Sequence, residues 1–327
     1  ITTQSNFSKI PGSPVAYWVS DQFSQVYGNR LLKEIGESRQ GLATTDNDTY
    51  LRLWHEVIFS RIAFGCKDKN AALTTGCKWF PFNKGGEFRK WYGNNNYVIN
   101  WEKDGYDLKA MITKRYGNAS KRIANESLYF RECITWSAVA ASRPSFRFSP
   151  VGSLFDIGAN GAFLPDHSFT LYVVGLLNSK VTEAIIEITN PTINTGNGVI
   201  GNIPIAVQPD IKKGVVSQAT DCIELCMRDW DSFETSWDFQ RHPLVTPAID
   251  QHYLRLADCW RDWECACNER FAQLKANEEE LNRIFIDIYG LQDELTPDVD
   301  DKDVTVRKAD LGRDIRSLIS YAVGCML

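Results

Sequence analysis

Cations, aromatic rings and asparagines alternate between Lys78 and Phe148, a stretch that includes KWFPFNKGGEFRKWYGNNNYVINW. From Lys78 to Arg147, 13 Lys/Arg stand against 6 Asp/Glu, a local balance of +7 in a chain whose formal charge is −5. Basic side chains neutralise phosphates, Asn and Arg read base edges with paired hydrogen bonds, and aromatic rings stack on bases. The pattern therefore points to nucleic acid. Lys84, Arg89, Lys90, Lys114, Arg115, Lys121 and Arg122 are the expected phosphate contacts; Asn94, Asn95, Asn96, Arg143 and Arg147 are the candidates for base edges. Upstream, the run GLATTDNDTYLRLW packs Thr44, Thr45, Asp46, Asn47 and Asp48 into one polar turn. Such side chains bond their own backbone and project outward, so Thr44, Thr45 and Asn47 are further candidate donors to a phosphate. A solvated basic face and an ordinary interstrand loop are the plain alternatives.

Other chemistry fits poorly. The nine cysteines include Cys222 and Cys226 one helical turn apart and Cys259, Cys265 and Cys267 close together, with His242 and His252 nearby, but none makes the paired CxxC knuckle of a structural zinc site. Buried thiols are the better account. The stretch FDIGANGAF, Phe155 to Phe163, begins like the cofactor loop of S-adenosylmethionine (SAM) methyltransferases. A cofactor loop opens directly into a helix, whereas Leu164-Pro165-Asp166 breaks the chain here. Asn190-Pro191 lacks the second proline and aromatic of an amino-methylation motif, being followed by Thr192 and Ile193. Glycines at a tight turn after a strand explain FDIGANG. No Ser/His/Asp set, phosphate-cradling loop or HExxH helix is present. The expected cofactor and metal content of this chain is none.

The elements that must position these residues follow from periodicity and punctuation. A Pro/Gly turn falls at Pro11–Pro14. Short alternating or β-branched runs at Tyr97–Trp101, Cys133–Trp136, Phe146–Phe148 and Leu154–Ile157 read as strands. Helical patterns run over Leu108–Tyr116 and Phe169–Ile188, the second stopped at Asn190-Pro191. An α/β (mixed α+β) domain with a small mixed sheet is expected over residues 1–215. Residues 216–327 read as a mainly α-helical region: a helix over 221–240, then Thr246-Pro247 as an N-cap and first helical position. Tyr253, Leu256, Trp260, Trp263, Cys267, Phe271, Leu274, Leu281, Phe285 and Ile288 step by threes and fours, broken at Glu278. That stripe predicts one long helix of some 40 residues, capped by Gly290 and stopped by Pro297. A loop rich in Asp leads to a last helix from about Lys308.

A chain of 327 residues with 43% hydrophobic and 24% charged residues is a folded one, long enough for about two cores. No apolar run approaches the roughly 20 residues that span a bilayer. The odd, irregularly spaced cysteines fit a reduced, cytoplasmic setting. The chain starts at Ile1 and stops at Leu327 inside an apolar helical pattern, so it reads as a piece of something longer.

The runs GLATTDNDTYLRLWHEV, KWFPFNKGGEFRKWYGNNNYVINW, ITWSAVAASRPSFRF, LLNSKVTEAIIEITNPTINTGNGVIGNIPI, LNRIFIDIYGLQDELTPDV and DIRSLISYAVGCM, covering much of the chain, resemble the region after the catalytic domain in adenine-specific DNA methyltransferases, above all those of BREX phage-defence systems. The resemblance implies a target-recognition domain near residues 40–210 that reads double-stranded DNA. It further implies a helical spacer over 221–327 that holds the reader against a catalytic domain, and SAM as cofactor of the longer enzyme. It also leaves a second reading: a protein-interaction module for other defence subunits or an acidic, DNA-mimicking protein.

Overall fold

Two four-stranded sheets, rather than one, organise the first two-thirds of the chain. The computed structural model describes residues 20–140, 143–190, 192–246 and 255–326. Pro11–Pro14, the Thr246-Pro247 cap, Tyr253 and Pro191 fall wholly or partly outside those residues.

The strands are β1 (Arg30–Leu31), β2 (Glu37–Arg39), β3 (Leu51–Leu53), β4 (Trp79–Asn83), β5 (Tyr97–Asn100), β6 (Cys133–Ser137), β7 (Phe146–Ser149), β8 (Leu154–Phe155), β9 (Ala159–Phe163) and β10 (Pro204–Ile205). One sheet has the order β3-β5-β4-β8, antiparallel except for the parallel pair β4/β8. The other, β2-β9-β6-β7, is antiparallel throughout, and β1 pairs with β10 as a separate ribbon. The fold is thus mixed α/β with small sheets and one long helix.

The helices used below are α1 (Asn47–Tyr50), α2 (Glu102–Tyr116), α3 (His167–Leu177), α4 (Lys180–Thr189), α5 (Pro209–Trp230), α6 (Leu256–Tyr289) and α7 (Leu311–Met326). Helix α2 opens with a left-handed turn at Lys103, Asp104 and Gly105 and is regular over the predicted 108–116 stretch. Between the first sheet and α2 lies an aromatic core of Phe80, Phe82, Trp101, Leu108, Ile112, Phe130 and Phe155. On the second sheet, Ile134, Trp136 and Phe146 face away from this core and pack on α3, α4, α5 and α6. This larger core also contains Val215, Cys222, Leu274 and Phe285, so the C-terminal helices and the sheet share buried surface across residue 215.

The helix predicted over Phe169–Ile188 is two helices, α3 and α4, meeting at 67°. Asn178 is the cause: its amide donates to the Phe146 carbonyl at 2.9 Å and accepts from the Phe146 N–H at 3.1 Å, tying the chain to β7. Lys180 N–H, left open by the break, donates to Asn282 Oδ1 at 2.9 Å. Periodicity is blind to such a bend, because both segments keep their apolar face on the same core. The long helix is 34 residues, about 51 Å at 1.5 Å per residue. Gly290 ends it in the left-handed region at φ 67°, where glycine has no Cβ to clash. No single helix among the described residues is long and apolar enough to cross a membrane.

Candidate nucleic-acid interface

The polar turn after β2 and the C-terminal end of α2 meet on one face. Asp46 caps α1 by accepting from the Thr49 N–H at 3.1 Å, which holds Thr45 at φ 59°. The Thr44 hydroxyl donates to Asn47 Oδ1. Ala43 N–H donates to the Arg122 carbonyl at 2.8 Å, so the turn lies directly beside residues 119–122. Gly117, at φ 85°, ends α2, and Asn118 Oδ1 accepts from the Ser120 N–H to redirect the chain. Lys114, Arg115, Lys121 and Arg122 all emerge exposed around this corner. The Arg115 and Arg122 guanidiniums lie 5.5 and 4.8 Å from the ring centre of Tyr116, which orients both cations without neutralising them. Among the described residues none of these four cations has an ion-pair partner. A surface of four unpaired cations, a hydrogen-bonding turn and a ring can hold a phosphate backbone.

A second group borders it. Lys84 stands 6.0 Å from the Tyr97 ring and 3.5 Å from the Asp156 carboxylate, so its charge is partly answered. Asp156 is the aspartate of FDIGANG. Its Oδ1 accepts from the Gly158 N–H at 2.6 Å, and the turn opens into β9, not into a helix. Burial pushes its carboxyl above the usual range, while the Gly158 N–H and Lys84 oppose that shift. Asn95 and Asn96 are half-buried at the end of the Gly85–Asn96 loop, where the Asn96 carbonyl accepts from the Trp54 N–H at 2.9 Å.

Several expected contacts are structural instead. Lys90 is 8% exposed and donates to Glu278 at 2.6 Å; Trp91 Nε1 donates to the other oxygen of the same carboxylate at 2.7 Å. Lys90 has no surface to offer a phosphate, and Glu278 interrupts the apolar stripe because it answers this buried charge. Arg89 pairs with Asp229 at 3.4 Å and lies 5.0 Å over Trp230. Asp229, wholly buried, also draws Arg307 to 3.4 Å and Arg270 to 3.7 Å. Arg143 bridges Glu183 and Asp303 at the wall of a cavity of about 290 Å³. Arg147, expected at a base edge, is 2% exposed: it stands opposite Thr135 in the β6/β7 pair and makes one weak bond to the Arg89 carbonyl at 3.4 Å. Burial, and then the neighbouring Arg89, depress its pKa to about 10. Asn94 is turned inward to the Glu87 carbonyl at 3.0 Å, and the Thr44 side chain is 2% exposed.

Asn47, Lys84, Asn95, Asn96, Lys114, Arg115, Lys121 and Arg122 thus keep a partly or fully open side chain, whereas the Thr45 hydroxyl, expected as a donor, is buried; Thr44, Arg89, Lys90, Asn94, Arg143 and Arg147 hold the fold together. The acidic partners Asp229 and Glu278 escaped the reading of the sequence. Their only signal was an acid on the apolar face of a helix, a position that makes sense once a cation is buried opposite.

No family model matches the chain. The adenine-specific methyltransferase PglX of Lacticaseibacillus casei (strain Zhang) is 43% identical over 99% of this chain and 27% of its own length. The adenine-specific methyltransferase BrxX of Escherichia coli O9:H4 (strain HS) is 30% identical over the whole chain and 26% of its own length. Among solved structures, the type IIL restriction-modification enzyme MmeI in complex with DNA covers 91% of this chain and 37% of that one, at a TM-score of 0.45 and 11% identity. The chain spans about a quarter of the length of the curated relatives it matches. Over that span, it matches a portion of the BREX adenine-specific methyltransferase PglX.

Proposed function

We propose that this chain is the DNA-recognition portion of a SAM-dependent adenine-N6 DNA methyltransferase of a phage-defence or restriction-modification system. The observation that supports this reading best is the corner where Lys114, Arg115, Lys121 and Arg122 converge, without an ion-pair partner among the described residues, beside the Thr44–Asn47 turn. The names of the relatives add adenine-specific methylation as the activity of the longer protein. In this reading the four cations hold the phosphates, Asn47 adds a neutral donor, and Asn95 and Asn96 are nearest to base edges.

Methyl transfer is assigned to another part of the longer protein. The one cofactor-like stretch does not fit SAM: Asp156 is committed to Gly158 and Lys84, and the following residues are a buried strand. The reading is tested by binding of random duplex DNA over a salt series, with SAM titrated by calorimetry alongside. Each phosphate contact contributes a slope of roughly 0.9 in log K against log salt. The Lys121→Ala/Arg122→Ala pair is therefore expected to weaken binding to all sequences alike and to lower the slope by about 2. Unchanged binding at low salt would remove this corner from the interface.

One observation favours a second role for the C-terminal helices. On α7, Ile319, Val323 and Met326 are 60%, 47% and 77% exposed along one stripe. A docking surface for another part of the longer protein, or for another defence subunit, would use it. Protein binding there is expected to survive added DNA, whereas a ligand of the cationic corner is expected to be displaced.

A further inference from the structure

The loop from Trp54 to Phe64 carries a ridge that the core does not use. It contains two 3₁₀ turns, Trp54–Glu56 and Phe59–Arg61. Ile58, between them, and Phe59, opening the second, stand 71% and 52% exposed. Their position is not slack. Arg61 N–H donates to the Ile58 carbonyl at 2.8 Å, and Ile62 N–H to the Phe59 carbonyl at 3.0 Å. The Phe59 ring lies 6.3 Å from Trp54 and 5.4 Å from Phe64, and Phe64 lies 5.3 Å from Trp237. Trp54 is itself fixed, its Nε1 donating to the Thr235 carbonyl at 2.9 Å. The result is a row of rings braced from behind, with an aliphatic side chain at its tip.

Charge and position say what this ridge meets. Arg61 and Lys67 are exposed on the same loop and its continuation, and among the described residues neither has an ion-pair partner. The two acids of the stretch are engaged by backbone, Glu56 accepting from the Leu53 N–H and Asp68 from the Ala71 N–H, each at 2.8 Å. Trp54 N–H bonds the Asn96 carbonyl, and Leu53 pairs with Tyr97 in the β3/β5 register, so the ridge begins where the candidate base-reading asparagines end. Braced apolar side chains flanked by free cations are the equipment of proteins that push a side chain between stacked bases while gripping the backbone on either side.

We propose that Ile58 and Phe59 are a wedge that enters the base stack of duplex DNA, with Arg61 and Lys67 on the adjoining phosphates. The inference rests on the DNA-recognition reading above and adds the mode of engagement: local unstacking beside the recognised bases.

A wedge binds best where stacking is already broken. The test compares two fluorescently labelled 30-bp duplexes of one random sequence, intact or with a single-nucleotide bulge, by anisotropy at low salt. The unaltered chain is expected to bind the bulged duplex roughly tenfold more tightly, because the unstacking has been done in advance. Ile58→Ser, at a position outside the ring contacts, and Phe59→Ala are each expected to erase that preference. On the intact duplex they should lose less affinity than on the bulged one, since there the wedge contact is offset by the cost of unstacking and the phosphate contacts remain. Lys121→Ala/Arg122→Ala should do the converse, weakening both duplexes while keeping the preference. Equal binding of both duplexes by the unaltered chain, or a preference kept by both wedge variants, would overturn the wedge while leaving DNA recognition intact. Absence of any DNA binding would overturn both. Sedimentation supplies the remaining outcome: a dimer that Ile58→Ser dissociates would make the ridge a self-association surface and overturn the proposal.

Discussion

Glu278 shows how a single side chain can be both an irregularity in a pattern and the hinge of an assembly. It is 3% exposed and takes hydrogen bonds from Lys90 and Trp91 on its two oxygens. Glu278→Ala would leave a buried ammonium unanswered, and removing one member of a buried pair costs about 3–5 kcal/mol. A fall of that size in the free energy of unfolding by denaturant is expected, and Glu278→Gln, which keeps an acceptor, should lose less. His242 gives the pH dependence at this scale. It is 3% exposed, and its Nδ1 accepts from the Leu244 N–H at 3.2 Å, as only a neutral ring can. Burial lowers its pKa from 6.5, against a weaker opposing pull from Asp314. The unfolded chain therefore takes up the proton first, and the contribution of His242 is full above its ordinary value of 6.5 and is lost as pH falls from there through its lower value in the folded chain. Comparing the melting temperatures of the parent and His242→Gln from pH 7.5 to 5.5 isolates it: the parent should lose more.

At the scale of the element, a helix pattern in the sequence fixes a face but not where the axis turns. Leu108–Tyr116 and the strands at 97, 133 and 146 stand where alternation and periodicity put them, because each is set by local spacing of apolar residues. The α3/α4 break was hidden because it is made by Asn178 bonding a strand 32 residues earlier, a contact that no window along the chain contains. Gly290 was legible, since a glycine after a long apolar stripe has one common use. Gly290→Ala places a Cβ in the left-handed region and 2.6 Å from the flexible Gln22 amide. It should lower stability by about 1 kcal/mol, read as a shift of the denaturant midpoint without change of slope.

At the scale of the whole molecule, the long helix is part of the core that holds the recognition surface. Trp136 in β6 belongs to the same apolar cluster as Leu274 and Phe285 in α6. The loop carrying Asn94–Asn96 is pinned to α5 and α6 through Asp229 and Glu278. Unfolding followed by Trp136 and by Trp263, each as the retained reporter in turn, is expected to give the same midpoint. Two separate midpoints would mean that residues before and after 215 fold as independent units.

The amino-acid sequence by itself determined the strands at 97–100, 133–137 and 146–149, the helix over 108–116 and the long helix ending at Gly290. The helix read over 221–240 was not among them: it spans Pro209–Trp230 and gives way to turns. The sequence also determined the basic and aromatic character of the 78–148 stretch and the likeness to adenine-specific methyltransferases. These are local or additive properties, carried by spacing, composition and long runs of matching residues. It could not sort the cations. Lys90, Arg89 and Arg147 are indistinguishable in a string from Lys121 and Arg122, yet the first three are held against Glu278, Asp229 and β6 while the last two are exposed. For Lys90 and Arg89 the deciding carboxylates lie more than a hundred residues away, and for Arg147 the deciding contact is a strand pairing; only the folded chain brings these together.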